Sequence, residues 1–341
     1  MGISEWKLQA VILFAEIGCG FIFGRFLMPL FRKLKTGKFE IYIGDRFRKD
    51  GSEPKFGGVL IFMTFLLGMS VGVSFSEDIS FRQTAAAVMF CGIILAVGIY
   101  EDMQRETARG IGLKPAYRIT AEFAASAAFL VLLDMFGYRV REVLLPFRMG
   151  YIDLGAAYIP LTALLMTLII NIMEKHDCLN GVTDTGTDGL CMISAFICAA
   201  GLTGGLTAAG GHSTAQLICV CAAGSFAAMI IWCCSPSKMY PGQSGSLLTG
   251  AVICCIMVFT GLHIAVLLAL LAPVIDGICA VIQRIVYRRS KRLLFKGASL
   301  HEHLKNIGWG DYKIMCADIG VQVIGCIGAA VFIFYESRIV I

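Results

Sequence analysis

The sequence predicts an all-α integral membrane protein, with about ten transmembrane helices and a cleft at the cytoplasmic face. The mean hydropathy of the 341 residues is +0.77 and 16% of them are charged, whereas about a quarter of a soluble domain is charged. Apolar runs of roughly 17 to 25 residues, long enough to cross a bilayer as helices, recur along the chain. Residues 1–341 are therefore predicted to form a single polytopic membrane domain.

Ten apolar spans follow one another along the chain. They are too long and too uniformly apolar for barrel strands, so they are predicted to be helices. The eighth is short, and its boundary with the ninth at Thr260–His263 is the least distinct. Segment 138–155 partly alternates between polar and apolar residues and is expected to form a short hairpin. The predicted spans are 8–31, 57–75, 84–100, 119–137, 157–173, 189–209, 215–235, 247–261, 263–286 and 316–335.

The basic residues separate between the two ends of these spans. Segments 32–55, 101–118 and 284–313, together with Lys175 and Lys238, contain 22 of the 29 lysines and arginines. Ten spans place all of them at one end, which we call the basic face, and leave six basic residues at the other end. Because cytoplasmic loops are enriched in Lys and Arg, the basic face is predicted to be cytoplasmic.

Polar segments meet the basic face where predicted helices end. They are "YEDMQRE" at 100–106, the loop 174–188, which contains most of "NGVTDTGTDGL" at 180–190, "SKMYPGQSGS" at 237–246 and "HEHLKNIGWGDYK" at 301–313. Each alone is more typical of a solvated helix end or a turn. Together they supply glycine-rich backbone that can approach a phosphate, cations, and carboxylates of the kind that bind Mg²⁺. This combination favours phosphoryl transfer between a soluble nucleotide and a membrane lipid.

Ionisable residues inside the spans are further candidates, because charge is costly in the bilayer. Glu122 and Asp276 fall near the cytoplasmic ends, where a cleft could hold them. Glu16 and Asp134 fall in the outer halves and are interpreted as structural or snorkelling residues.

The order and spacing of these segments resemble the polyprenyl-phosphate N-acetylhexosamine-1-phosphate transferase family, and most of all its phospho-N-acetylmuramoyl-pentapeptide transferase branch. The resemblance covers nearly the whole chain. "GIYEDMQR" at 98–105 is similar to the family's glycine-led Asp-Asp motif, and "GQSGSL" at 242–247 stands where the family has Gly-Asp-Thr-Gly-Ser-Leu. Further similar segments are "RFRKDGSEPKFGG" at 46–58, "GLKP" at 112–115, "NGVTDTGTDGLC" at 180–191 and "LHEHLKNIGW" at 300–309.

The resemblance implies roles for individual residues. Asp102 is the second acid of the pair, Arg105 stands for the family's lysine, and Asp188 closes the double-Asp motif. The acids with an implied catalytic role are Glu101, Asp102, Asp184 and Asp188. The residues with an implied substrate-binding role are Arg105, Lys114, Asn180, Lys238, His301 and His303. Asp188 and, as a weak ligand, Gln243 are the implied metal-binding residues.

The resemblance also implies an activity. The family branch transfers phospho-MurNAc-pentapeptide from UDP to undecaprenyl phosphate, releases UMP and requires Mg²⁺; sister branches use UDP-GlcNAc. The expected partners are therefore undecaprenyl phosphate, a UDP-N-acetyl-sugar and the membrane, with no nucleic acid, and self-association into a homodimer stays open. The expected location is the bacterial plasma membrane, with the active face in the cytoplasm and a role in peptidoglycan synthesis.

The sequence departs from the family pattern at the residues nearest the chemistry. Glu101 replaces the first aspartate of the pair, Gln243 replaces the metal-site aspartate, and Glu302 replaces the middle histidine of a triple. Asn180, Asp184 and Asp188 are spaced by four residues rather than three. A non-catalytic relative that binds the lipid carrier or the nucleotide-sugar is therefore the alternative. A transporter is less favoured, because the charged residues gather at one face rather than near the midplane.

Overall fold

The computed structural model of the protein describes most of the chain. The described residues are 5–34, 40–43, 46–49, 56–76, 78–107, 112–138, 141–145, 150–177, 213–233, 238–290, 292–296 and 300–337. The predicted sixth span, 189–209, lies outside them.

The described chain is a bundle of apolar helices, as predicted. Eight of its helices are long and apolar enough to cross a membrane, and a bent pair makes up to nine. They start and end close to the predicted spans. The helices are α1 (Glu5–Leu34), α2 (Gly57–Phe75), α3 (Phe81–Thr107), α4 (Pro115–Met135), α5 (Tyr158–Asp177), α6 (Ser213–Cys233), α7 (Gly242–Thr260), α8 (His263–Ala269), α9 (Leu271–Ser290), α10 (Leu300–Asn306) and α11 (Asp311–Ser337).

Helix α7, the short eighth span of the sequence analysis, lies at the centre of the bundle. It packs against α2, α3, α5 and α6, and every residue from Gln243 to Thr260 is buried. A helix that is enclosed on all sides needs no polar face, which explains why α7 contains no charged residue. Gly261, at φ +68°, ends the helix with its N–H on the Met257 carbonyl, at the boundary that the sequence marked least distinctly.

The predicted ninth span, 263–286, is not continuous: α8 and α9 meet at a bend of 82°. Pro273 has no N–H, so the carbonyl of Ala269, four residues earlier, cannot form its usual helical bond. Gln322 of α11 donates to that carbonyl through Nε2. Gly325 of α11 allows the close approach, since a Cβ there would lie 2.6 Å from the Cβ of Leu271. The bend therefore has a cause in the sequence and a partner in α11.

Two short hairpins lie outside the helices. Strands β3 (Glu142–Leu144) and β4 (Tyr151–Asp153) pair antiparallel and are followed by a 3₁₀ turn at Gly155–Ala157; they confirm the hairpin predicted within 138–155. Strands β1 (Glu40–Ile43) and β2 (Arg46–Lys49) pair antiparallel between α1 and α2. The second hairpin was not predicted from the sequence.

Glu16 is fully buried rather than snorkelling. Its carboxyl fills the space beside Gly68 of α2 and Gly224 of α6, where a Cβ on either glycine would collide with it. Glu16 thus packs α1 against two other helices inside the bundle.

Candidate functional site

The Glu-Asp pair lies near the end of α3, at the basic face, and both acids are buried. Successive residues of an α-helix point about 100° apart, so the two side chains face different neighbours. Asp102 faces the start of α7, and Glu101 faces Arg118 of α4. The pair therefore joins two separate polar arrangements.

Asp102 binds the N-terminus of α7. Its Oδ1 accepts a hydrogen bond from the Gln243 N–H and its Oδ2 accepts one from the Ser244 N–H, each at 2.9 Å. The first N–H groups of a helix have no partner within the helix, and the helix dipole favours a negative charge there. The glycine-rich segment 242–246, which the sequence suggested could hold a phosphate, thus presents these two N–H groups to a carboxylate of the protein itself.

Glycines make this contact sterically feasible. Gly98 lies one turn before Asp102 on the same side of α3, and a Cβ on it would lie 2.5 Å from the Cα of Ser244. A Cβ on Gly58 of α2 would lie 2.5 Å from the Ser244 carbonyl carbon. Gly98, the first residue of "GIYED", and Gly58, the second of the glycine pair at 57–58, therefore let α3 and α2 approach the first turn of α7.

Arg118 of α4 is the centre of the second arrangement. Its Nη1 lies 3.1 Å from Glu101 Oε2 and 3.0 Å from Glu174 Oε1, and its Nη2 donates to Glu174 Oε2 and to Asn171 Oδ1, both at 3.1 Å. Its Nε lies 3.3 Å from Glu122 Oε1, one turn further along α4. Arg118 and the three glutamates are all buried, so one guanidinium faces three carboxyl groups and ties α3, α4 and α5 together.

Such a buried cluster holds the basic-face ends of its helices in one arrangement. Taking charges out of water is costly, and the cost is offset only while each charge keeps its partners. A planar guanidinium can serve several carboxylates at once because its five N–H donors form a fixed fork. The fork of Arg118 thereby fixes the end of α3 that contains both Glu101 and Asp102.

The segment around His303, which includes α10, forms a third polar arrangement beside the basic-face half of α9. His303 of α10 accepts at Nδ1 from the Lys296 N–H, at 3.1 Å, and its ring lies 5.6 Å from that of Phe295. Asp276 of α9 accepts at Oδ1 from the Leu300 N–H at 2.9 Å, so it holds the start of α10. Gly277 of α9 packs against Ile172 of α5, the helix that also provides Asn171 and Glu174.

The structure describes some of the predicted site residues and not others. Lys114 is exposed immediately before α4, one turn from Arg118. Lys238 is exposed, with its Nζ 5.8 Å from the centre of the Trp232 ring. Arg105 and His301 lie in α3 and α10, but their side chains are outside the described part of the structure. Asn180, Asp184 and Asp188 are outside the described residues altogether.

The expected Mg²⁺ site lies partly outside the described residues, because Asp188 is not among them. Among them there is no group of three His, Cys, Asp or Glu side chains that could hold a metal ion. Asp102 already accepts two N–H groups, Glu101 already faces Arg118, and Gln243 is a buried neutral amide. A metal site here would need further oxygen donors, and Asp188, which lies outside the described residues, is the acid that the sequence predicts for this role.

Sequence reasoning missed several of the residues that organise the site. Glu122 was noted as a candidate, but Arg118, Asn171 and Glu174 were not. Arg118 and Glu122 are four residues apart in the first half of α4, and Asn171 and Glu174 are three apart at the end of α5, so each pair shares one helix face. Two polar faces on neighbouring helices at the same membrane end were the available signal.

The chain is similar in sequence, over most of its length, to several known proteins. The chain is 26% identical over 337 residues to a phospho-N-acetylmuramoyl-pentapeptide-transferase of Anoxybacillus flavithermus, covering 96% of this chain and 98% of the relative. It is 23% identical over 305 residues to the enzyme of the same name from Clostridium kluyveri, covering 89% of this chain and 92% of the relative. A relative of that name from Clostridium botulinum is 22% identical over 341 residues, covering 96% of this chain and 98% of the relative.

A family profile identifies the central part of the chain. It matches residues 84–261, which include the Glu-Asp pair of α3, the Arg118 cluster and all of α7. This match covers more than half of the 341 residues. The chain therefore belongs to glycosyl transferase family 4.

Proposed function

We propose that the protein transfers a phospho-N-acetyl-sugar, and specifically phospho-MurNAc-pentapeptide, from a UDP-sugar to undecaprenyl phosphate, releasing UMP. An oxygen of the lipid phosphate forms a bond to the phosphorus that bears the sugar, and the bond from that phosphorus to UMP breaks. The observation that carries the proposal is the burial of the acidic pair of α3 at a junction of helices, in a chain similar over nearly all its length to relatives named for this transfer.

The two arrangements around α3 support a reaction that depends on positioning. Phosphoryl transfer requires little covalent chemistry from the protein, and its catalysis is mostly orientation and electrostatic stabilisation of charge. Such groups act best when the protein holds them in place before the substrate arrives. Arg118 and the N-terminus of α7 hold the end of α3 from two sides, which gives the site this rigidity.

Helix α9 offers a surface for the lipid substrate. Ile278, Val281, Ile282 and Ile285 are exposed and share one stripe, because they are three or four residues apart. Arg288 and Arg289 are exposed in the last turn of the same helix. An apolar stripe that ends in two cations matches a polyprenyl chain that ends in a phosphate, so we assign the lipid carrier to α9 and the active face to the cytoplasm.

The test is an assay with purified protein in detergent. The protein is incubated with undecaprenyl phosphate and either UDP-MurNAc-pentapeptide or UDP-GlcNAc, with and without Mg²⁺, and the release of UMP is measured. Mg²⁺-dependent UMP release with the muramoyl substrate is the expected result. Release with UDP-GlcNAc alone would move the substrate to the sister branches, and no release with either would contradict the proposed transfer.

A non-catalytic relative is the second candidate, and Gln243 favours it. Gln243 has a neutral amide side chain where the family has an aspartate, and its backbone N–H in the first turn of α7 binds Asp102. A protein of this kind would bind a uridine nucleotide or UDP-sugar at the basic face without turnover. Calorimetry with UDP-sugars at millimolar concentration, compared with the UMP assay, separates the candidates, since binding without release is the mark of the second.

A further inference from the structure

The backbone groups of three consecutive residues before α10, Leu294, Phe295 and Lys296, are held by side chains rather than by regular secondary structure. Gln283 of α9 accepts at Oε1 from the N–H groups of Leu294 and Phe295, each at 3.0 Å, and donates through Nε2 to the Phe295 carbonyl at 3.3 Å. His303 and Asn306 of α10 hold the next residue, Lys296. His303 accepts the Lys296 N–H, and Asn306 donates through Nδ2 to the Lys296 carbonyl.

Gln283 is unusual among its neighbours on α9. It is buried, with 5% of its surface exposed, while the adjacent residues Ile282 and Arg284 are exposed. A buried amide side chain is costly unless its donors and acceptors are used. Gln283 uses its oxygen twice and its nitrogen once on the backbone of 294–295, so it connects α9 directly to the segment that leads to Lys296.

The Lys296 N–H determines the tautomer of His303. A backbone N–H can only donate, so the ring nitrogen that faces it must present a lone pair. That nitrogen is Nδ1, at 3.1 Å. In a neutral imidazole the proton then sits on Nε2. His303 therefore keeps Nε2 as its single N–H donor, provided that the Lys296 peptide stays in its present orientation.

We propose that Gln283 is a positioning residue that fixes His303 as the Nε2–H tautomer. Gln283 binds the backbone of Leu294 and Phe295. These bonds fix the orientation of the next N–H group, that of Lys296, and this N–H selects the tautomer. Phe295 strengthens the arrangement because its ring also contacts that of His303. The role of this tautomer rests on the proposed function: the Nε2–H group donates to a phosphate oxygen of the UDP-sugar. Gln283 itself touches no substrate.

The direct test is nitrogen NMR of protein labelled with ¹⁵N-histidine, without substrate. The chain has five histidines, and His303→Asn identifies the signals of His303. The parent should show His303 with its proton on Nε2. Gln283→Leu, which removes all three bonds, should give a mixture of tautomers. Gln83→Leu is the matched control, because it removes a half-buried amide that accepts from Thr214 near the start of α3 and should leave the His303 signals unchanged.

A kinetic measurement adds a second readout. A misplaced catalytic contact can cost up to about a hundredfold in rate, so Gln283→Leu should lower kcat/KM for the UDP-sugar about ten- to a hundredfold, with Gln83→Leu unaffected. If Gln283→Leu does not fold, Asn306→Leu replaces it, since it loosens Lys296 from the α10 side and should also mix the tautomers.

Two results would overturn the proposal: a parent His303 protonated on Nδ1, or an unchanged tautomer in the folded variants. The tautomer is measured without substrate, so absence of UMP release would count against the proposed function and not against this inference.

Discussion

The two neighbouring acids of α3 are neutralised in different ways. Glu101 faces a guanidinium that three helices share, whereas Asp102 receives backbone N–H groups from the first turn of α7. The first arrangement depends on contacts between side chains, each of which a single substitution can remove. The second depends on the path of the backbone and on glycines that allow it. One short motif thus contains one residue that joins side chains of other helices and another that fixes how two helices pack.

Removing the centre of the Arg118 cluster should have the largest effect. Arg118→Met leaves three buried carboxyl groups without their shared partner, and breaking a buried ion pair from one side costs about 3–5 kcal/mol. We expect a large fall in the Tm of the detergent-solubilised protein and loss of UMP release. Arg118→Lys should recover only part of the stability, because an ammonium group cannot reproduce the planar fork.

Arg141→Met is the control for that experiment. Arg141 pairs with Asp134 at 3.3 Å, but both side chains are more than a third exposed, so their pairing contributes at most about 1 kcal/mol. Its variant should melt close to the parent. An Arg118→Met protein as stable as Arg141→Met would show that the three glutamates do not depend on the guanidinium.

Asp102→Asn should have the next largest effect. The amide oxygen can still accept one N–H of α7, but its NH₂ group would face the other N–H, donor against donor. We expect a lower Tm and at least about a hundredfold less UMP release, the range seen when a charge-stabilising group is lost. Asp188→Asn is predicted from the sequence to lose activity to the same extent.

The control for Asp102 is Asp153→Asn. Asp153 also accepts a backbone N–H, that of Gly155 at 2.7 Å, but it is exposed at the opposite end of the bundle. Its variant should keep both the Tm and the rate. If Asp102→Asn kept its full activity, Asp102 would have no place in the reaction, whatever its effect on stability.

The sequence predicted the helical bundle because apolar runs long enough to cross a bilayer can be read directly from the residues. It also predicted the hairpin at 142–153, where alternation has a period of two. It did not predict that Asp102 binds the first turn of α7, nor did it predict the Arg118 cluster. Asp102 meets residues 141 and 142 positions away, and the cluster joins three helices, so both depend on which helices pack together. Pro273 was a signal for the broken ninth span, but the bond from Gln322 to the Ala269 carbonyl depends on how α11 packs and could not be predicted from the sequence.

Gly98→Ala should lower the Tm moderately, by disturbing the contact of Asp102 with α7 and leaving the Arg118 cluster in place. The Cβ of Gly98→Ala would lie 2.5 Å from the Cα of Ser244, and because this contact is with backbone, α3 and α7 must separate. Overpacking of this kind costs about 1–3 kcal/mol. Gly92→Ala is the control on the same helix, since its Cβ would meet Phe62 Cζ at an ordinary 3.4 Å. It should be neutral or slightly stabilising, because alanine favours helix. Equal Tm values for the two variants would contradict the close packing of α3 on α7.

The smallest effect is expected for Gln243. A carboxylate at this position would lie near both the N-terminus of α7 and Asp102. Gln243→Asp adds a carboxylate to the first turn of α7, where the helix dipole favours it, but next to Asp102, whose charge repels it. Two carboxylates this close favour a divalent cation between them.

Unit charges 4 Å apart attract by about 4 kcal/mol at an effective dielectric of about 20, and a divalent ion doubles this before desolvation removes most of it. Even a tenth of that sum tightens binding several-fold, so Gln243→Asp should lower the Mg²⁺ concentration that gives half-maximal UMP release and raise the rate. Gln243→Asn, which shortens the side chain without adding charge, should do neither. If the aspartate variant gains neither metal affinity nor rate, residue 243 does not face the metal, and the correspondence of "GQSGSL" with the family's metal-site motif fails at that position.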